Sequence, residues 1–319
     1  MSTINVNVTT QTDITAQNGA ESDRKVALAA FNGRVYMAYR GWGASKNMYI
    51  CSTANGTTWG TQSSITDSND AKTQSSPALA AFNGRLYLAY QGANSDNLYI
   101  CSSSDGVNFG DQTEITKQNS AETTSQPALA AFNGRLYLAY RGTGLSTNLY
   151  VCSSSNGTDW GSQTNVSDQN GAASTTTAGP ALAAFEGKLY LGWEGASGTG
   201  INGAALYVCA SSNGTEWGPQ TNLEDANGAE GYDGLSLAAT SNTLFAIYHG
   251  AHTAQFYGCG FDGTTWSTNQ INFSSLNEAG SAWGPALAAL GDTFYTAYPG
   301  IGVSNNLWDF TFTTSWSNQ

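Results

Sequence analysis

Hydrogen-bonding side chains recur at one kind of place in this chain, each between an aromatic residue and a glycine. The set is Arg40, Gln91, Arg141, Glu194 and His249, and Pro299 fills the corresponding place in a sixth setting. The preceding rings are Tyr39, Tyr90, Tyr140, Trp193 and Tyr248; the following glycines are Gly41, Gly92, Gly142, Gly195 and Gly250. Guanidinium and amide donors, with a carboxylate acceptor, suit vicinal hydroxyls, and an aromatic face suits the C–H side of a sugar ring. The same side chains could instead finish a strand by capping carbonyls of the loop that follows. Trp42, Tyr232 and Trp283, with His252 beside His249, are irregularly placed loop residues of the kind that contact ligands. The expected carbohydrate-binding set is therefore Arg40, Trp42, Gln91, Arg141, Glu194, His249, Tyr232 and Trp283, with no catalytic residue, metal ligand or cofactor assigned.

What positions these residues is a repeat. "PALAAFNGRLYLAY" stands at 77–90 and again at 127–140, and "PALAAFEGKLYLGW" begins at Pro180. Aligned on this phrase, repeats start at Val26, Pro77, Pro127, Pro180, Leu235 and Pro285, a period of 50–55 residues. Each repeat reads as four antiparallel strands: "PALAAF", an Asn-Gly hairpin turn, "LYLAY", a loop, "NLYVCSSS", a turn such as "NGTDW", and "GSQTNVS". Four strands at this spacing predict an all-β propeller of six four-stranded blades, in one domain spanning 1–319. No helical pattern is legible. The last repeat ends before its fourth strand, while "TTQTDITAQNGAES" near the N-terminus matches "GSQTNVSDQNGAAS". Residues 1–25 thus supply the outer strand of the last blade and the first loop, removing open sheet edges.

Alternating strand direction sorts the loops into two faces. The exits of the second strands and the loops entering each first strand share one face; the Asn-Gly hairpins and the turns after the third strand share the other. Asn18, Asn69, Asn119, Asn170, Asn227 and Asn277 recur in the entering loops, as left-handed turn residues or repeated contacts. Arg34, Arg85, Arg135 and Lys188 read as solvated residues of the hairpins.

The turns "STANGTTW" (52–59), "SSSDGVNF" (102–109), "SSSNGTDW" (153–160) and "ASSNGTEW" (210–217), with the shorter "GFDGTTW" (260–266), resemble the Asp-box of sialidases and related propellers. The acidic residue departs from that motif, since Asn55, Asp105, Asn156, Asn213 or Asp262 stands directly before the glycine. The resemblance implies a structural turn on the face away from any active site. In architecture the chain is also similar to six-bladed propeller lectins of fungi and bacteria.

Composition narrows the function classes. Charged residues make up 11% of the chain and the net charge is −12, which leaves no basic footprint for nucleic acid and little attraction to anionic membranes. No apolar run is long enough to insert in a bilayer. The opening "MSTINVNVTTQTDIT" lacks a signal-peptide layout, predicting a cytoplasmic protein with non-classical release left open. Cys51, Cys101, Cys152, Cys209 and Cys259 fall at equivalent places in successive repeats, too far apart for disulfides, and read as small buried hydrophobes.

Near-copies of one site around a ring suit avidity. The expected function is a multivalent lectin without enzymatic activity that reads surface glycans. Two alternatives accompany it: a sialidase-like glycoside hydrolase and a protein-binding propeller scaffold. Hydrolysis needs two carboxyls at a defined separation. Glu194 is the only carboxylate at a second-strand exit, though Asp23 and Asp233 can approach from loops, and Arg24, Arg40 and Arg141 lie on the same face.

Overall fold

The computed structural model describes residues 2–175, 178–195, 204–251, 253–281, 283–301 and 305–318. The hairpins form as their sequence requires. In the first three repeats both turn residues take positive φ, 47° and 72° at Asn32–Gly33, 46° and 70° at Asn83–Gly84, and 45° and 71° at Asn133–Gly134. That is the twist-matched two-residue turn. The first repeat then runs antiparallel through Ala27–Phe31, Arg34–Arg40, Met48–Thr53 and Ser63–Ser64, and the second and third repeat this order.

The chain is an all-β propeller. The first strands of the repeats pack side by side in a closed cycle: Ala27–Phe31, Ala78–Phe82, Ala128–Phe132, Ala181–Phe185, Glu230–Ala239, Ala286–Leu290, and back to Ala27–Phe31. They surround a narrow axial cavity of about 80 Å³. The hydrophobic core lies between successive repeats, where facing sheets interdigitate; Ala27 and Ile50 of the first, for example, share a cluster with Leu79 and Leu88 of the second.

The expectation of six separate four-stranded sheets needs correction. Among the described residues there are five sheets: three of four strands, one of five and one of eight. The eight-stranded sheet joins the fourth and fifth repeats, because the Ala204–Ser211 strand begins early enough for Ala204 and Ala205 to pair with Gly231 and Glu230. The five-stranded sheet gathers the sixth repeat and the N-terminus. Thr12–Asp13 pairs with the long final strand Leu307–Asn318 at the outer-strand position, and Ser2–Val8 continues along that strand's remaining length.

Helices, absent from the sequence reading, are present. Among the described residues, six helices of four or five residues follow the fourth-strand positions: Ile14–Asn18, Ile65–Asn69, Thr116–Asn119, Val166–Asn170, Leu223–Asn227 and Phe273–Asn277. A single turn is too short to display a 3.6-residue pattern, but the caps are there to be read. Asp13, Ser64, Asn165, Asn222 and Asn272 accept N–H bonds at the starts, and the residue after each helix is left-handed.

The recurrent asparagines end these helices, and the left-handed residue is the next one: Gly19, Asp70, Ser120, Gly171, Gly228 or Glu278. Each asparagine bridges two repeats. Asn170 Nδ2 donates to the Gly218 carbonyl at 2.8 Å, while its Oδ1 accepts the Ala172 N–H at 3.0 Å. Asn18, Asn69 and Asn119 do the same to Gly60, Gly110 and Gly161. They are inter-repeat staples. The hairpin arginines are also engaged: Arg34, Arg85 and Arg135 hydrogen-bond Ser52, Ser102 and Ser153 on the neighbouring third strand.

The box turns lock adjacent repeats together. Gly106, Gly157 and Gly214 have φ near 80°, and each lies against a tyrosine ring of the preceding repeat. The hydroxyls of Tyr36, Tyr87 and Tyr137 donate to the carbonyls of Asp105, Asn156 and Asn213 beside those glycines. All five cysteines are free and buried, and burial pushes their thiols up to about 12.

Candidate active site

The polar residues at the second-strand exits are not six equivalent exposed contacts. Gln91 and Arg141 are each 1% exposed and Glu194 is 4% exposed; Arg40 and His249 are also buried. Most of them serve the following loop. Arg141 donates to the carbonyls of Gly144 and Ser146 and to Thr124 Oγ1. Gln91 donates to the Ser95 carbonyl at 3.0 Å. Arg40 pairs with Asp23 at 2.5 Å and reaches the Gly43 carbonyl. His249 Nε2 lies 2.9 Å from the Ser281 carbonyl, and burial lowers its pKa. These four are held as structural residues of the loops. Trp42 and Tyr232 are exposed, at 54% and 53%, and the Tyr232 ring stands 6.2 Å from that of His249. His252 lies outside the described residues.

Glu194 differs. Its carboxylate faces the loop of the next repeat, where the Glu230–Ala239 strand slips register between Tyr232 and Leu235. Asp233 and Gly234 both take positive φ there, 65° and 79°. Positive φ at a non-glycine residue within a bulge is a strained arrangement of the kind that re-aims side chains.

Three consecutive residues of this bulge tie four repeats together. The Asp233 carboxylate accepts the Gly284 N–H at 3.0 Å. The Gly234 N–H donates to Glu194 Oε2 at 2.8 Å. The Leu235 carbonyl accepts from Lys25 Nζ at 3.1 Å. A buried ammonium is thus gathered with two carboxyls, contributed by the first, fourth and fifth repeats.

The electrostatics follow from that crowding. Burial raises the Glu194 carboxyl to about 7, and the charge of Asp233 pushes the same way; the Gly234 N–H and Lys25 pull it back. Burial also raises Asp233, opposed by the Gly284 N–H and by the charges of Lys25 and Arg24. Lys25 is lowered to about 8 by burial, with Asp233 and Glu194 resisting. Burial raises both carboxyls beside the Lys25 ammonium: Glu194 is poised to keep its proton near neutral pH, and at Asp233 the charges of Lys25 and Arg24 oppose the rise.

Above it opens a polar pocket of about 220 Å³ on the central axis. Its walls include Arg24, Lys25, Gln91, Gln126, Asp233 and Trp283. The Arg24 guanidinium sits over the Trp283 ring, 4.8 Å from its centroid. Of the sequence-chosen residues, Gln91 and Trp283 border the pocket, Glu194 lies against the bulge beside it, and Tyr232 adjoins that bulge in sequence. Lys25 escaped the sequence reading. Its one signal is a lysine immediately before the first strand, where the other repeats have Ser76, Gln126, Gly179, Gly234 and Gly284. Among the described residues no cluster of metal-ligating side chains occurs.

A ring of antiparallel sheets about a polar axial pocket defines the chain as a β-propeller. No protein-family model matches it, and no curated protein does so by sequence. Solved structures do. The chain is similar to an α-L-arabinanase of Penicillium chrysogenum complexed with arabinobiose, at TM-score 0.70 and 15% identity over 96% of this chain and 98% of that one. An α-L-arabinofuranosidase of Fusarium graminearum with arabinobiose gives 0.66 and 12% over 95% and 97%. A Hadza microbial sialidase gives 0.61 and 15%, over 94% of this chain and 66% of that one.

These neighbours are glycoside hydrolases, and they overturn the expectation of a lectin without catalytic activity. The physical reason is already visible in the site. Most of the polar side chains expected to offer a shallow contact in each repeat are buried and hydrogen-bonded to loops of their own or the next repeat, and loops of different repeats converge on one asymmetric centre of two carboxyls and a lysine.

Proposed function

We propose that the chain is a glycoside hydrolase that cleaves a glycan at the axial pocket, with Glu194 and Asp233 as its two carboxyls. The observation that carries this reading is the Tyr232–Leu235 bulge, which sets Asp233 on the pocket wall and binds Glu194 through Gly234. Glycosidic cleavage takes one carboxyl to protonate the leaving oxygen and a second to attack the anomeric carbon or activate water. Glu194, raised to about 7 by burial, is the proton donor. Asp233 is the second carboxyl, with Lys25 and Arg24 favouring its charged form against the burial that raises it. Arg24, stacked on the Trp283 ring, offers the substrate a fork of donors, and Lys25 fixes the bulge through Leu235.

The fold behind this reading is a six-bladed propeller in a single domain, 1–319. The closed cycle of six first strands supports it, with the eight-stranded sheet taken as two blades bridged at Ala204–Ala205 and the N-terminal strands closing the last blade.

The test is turnover of fluorogenic aryl glycosides, beginning with the α-L-arabinofuranoside and the α-sialoside. Glu194→Gln and Asp233→Asn, each with unchanged circular dichroism, are expected to lower turnover by about 10²–10⁴-fold. Turnover by Glu194→Gln at the wild-type rate, or none by the wild type across a broad glycoside panel, overturns the assignment.

A further inference from the structure

The junction between the fourth and fifth repeats breaks the locking pattern of its neighbours. At the preceding junctions a box glycine covers a tyrosine ring and the tyrosine hydroxyl bonds the box carbonyl. The fifth box is one residue shorter than the fourth, as the spans Phe256–Trp266 and Leu206–Trp217 show. Phe261 also stands where the earlier boxes have Thr53, Ser103, Ser154 or Ser211. The consequences are local. Gly263 abuts Glu186 and not Tyr190. The Tyr190 ring packs on Phe261 at 5.8 Å, and Phe261 packs on Trp266 at 5.3 Å.

Beside the displaced turn lies a groove of about 960 Å³ on the face opposite the axial pocket. Its floor carries Tyr190, Trp217, Phe261 and Trp266, and its rim carries Lys188 and Glu216 with threonine hydroxyls. Several aromatic faces flanked by hydroxyls, one acid and one base match the alternating C–H and hydroxyl surface of a sugar chain. An anionic polymer would meet Glu216, and the rim has no excess of either charge.

We propose that this groove is a second, non-catalytic binding site for a neutral polysaccharide chain, holding a polymeric substrate while the axial pocket works on another part of it. The proposal rests on the reading of the chain as a glycan-processing protein but uses a different surface from the carboxyl pair. Affinity electrophoresis in native gels containing linear arabinan or xylan tests it. The wild type and a Glu194→Gln variant are both expected to be retarded by at least one of the two polymers. Trp266→Ala is expected to weaken retardation at least fivefold. Thr265→Trp, which fills the groove without removing a packed ring, guards against a folding defect and is expected to do the same, with aryl-glycoside turnover unchanged. Migration of the wild type unaffected by both polymers, or retardation of Thr265→Trp equal to the wild type, overturns the proposal. Retardation without any glycoside turnover would leave the groove intact and sink the hydrolase reading alone.

Discussion

Asp309 is a residue whose replacement should change this protein's stability in a pH-dependent way. It pairs with Ala297 on one side and Thr12 on the other, the register occupied elsewhere by Ile50, Ile100, Val151, Val208 and Gly258. The residue is 1% exposed, and neither carboxylate oxygen makes a well-formed hydrogen bond, although Trp59 and Thr12 lie close enough to favour its charged form. Burial raises its carboxyl to about 7, while Trp59 and Thr12 pull it down; Cys51, Tyr295 and Tyr298 are its titratable neighbours. An unfolded aspartate titrates near about 3.9. Between those values the folded chain holds a proton that the unfolded chain has released, so stability falls as pH rises from about 4 to about 7. The loss above pH 7 is at most about 3 pK units, or about 4 kcal/mol. Asp309→Val restores the side chain of Val151 and removes that loss. Its advantage over the wild type should be about 1 kcal/mol or less at pH 4 and grow to as much as about 4 kcal/mol at pH 8. At roughly 2 °C per kcal/mol for a chain of this size, the expected rise in Tm is about 8 °C at pH 8. Differential scanning calorimetry of both proteins from pH 4 to 8 reads it. Glu194 titrates in the same window but is common to both, so the difference isolates Asp309. An advantage independent of pH, or a variant less stable at pH 8, would refute the reasoning.

Other expectations follow from the same geometry. If Glu194 donates the proton, kcat/KM for an aryl glycoside should fall on the alkaline side with a midpoint near pH 7, and a flat profile from pH 6 to 8 would argue against that role. Asn170→Ala removes two hydrogen bonds of an inter-repeat staple and should cost about 1–3 kcal/mol in urea unfolding. Gly214→Ala places a Cβ 2.1 Å from the Tyr137 ring at a φ of 79°, so it should destabilise by at least about 3 kcal/mol, far more than Gly33→Ala, where nothing lies within 4 Å. Lys25→Met leaves two carboxyls without their buried cation and should raise the pKa of Glu194, read by carbon NMR of labelled glutamate.

Much of the architecture was legible because it is written locally and several times. Repeating Asn-Gly turns, alternating aromatic strands and the Asp-box-like turns fix each unit by short-range rules, and the match of the N-terminal segment to a missing fourth strand places Thr12–Asp13 beside Leu307–Asn318. One-turn helices escaped, since four or five residues carry caps but no period. The strand-exit residues were located correctly along the chain, yet their environment was not. Whether Arg141 meets a ligand or its own loop carbonyls depends on how the Gly144–Ser146 segment folds back, and spacing does not encode that.

What the sequence determined by itself was the repeated antiparallel unit, its copy-to-copy deviations and the face to which each loop belongs. Tertiary structure alone decided that Lys25, Glu194 and Asp233, up to 208 residues apart in the chain, meet beside one axial pocket. Closing a ring brings loops of distant repeats to a common axis. A bulge of two left-handed residues then turns one carboxyl toward that axis, and the resulting burial sets the proton affinities on which any chemistry there depends.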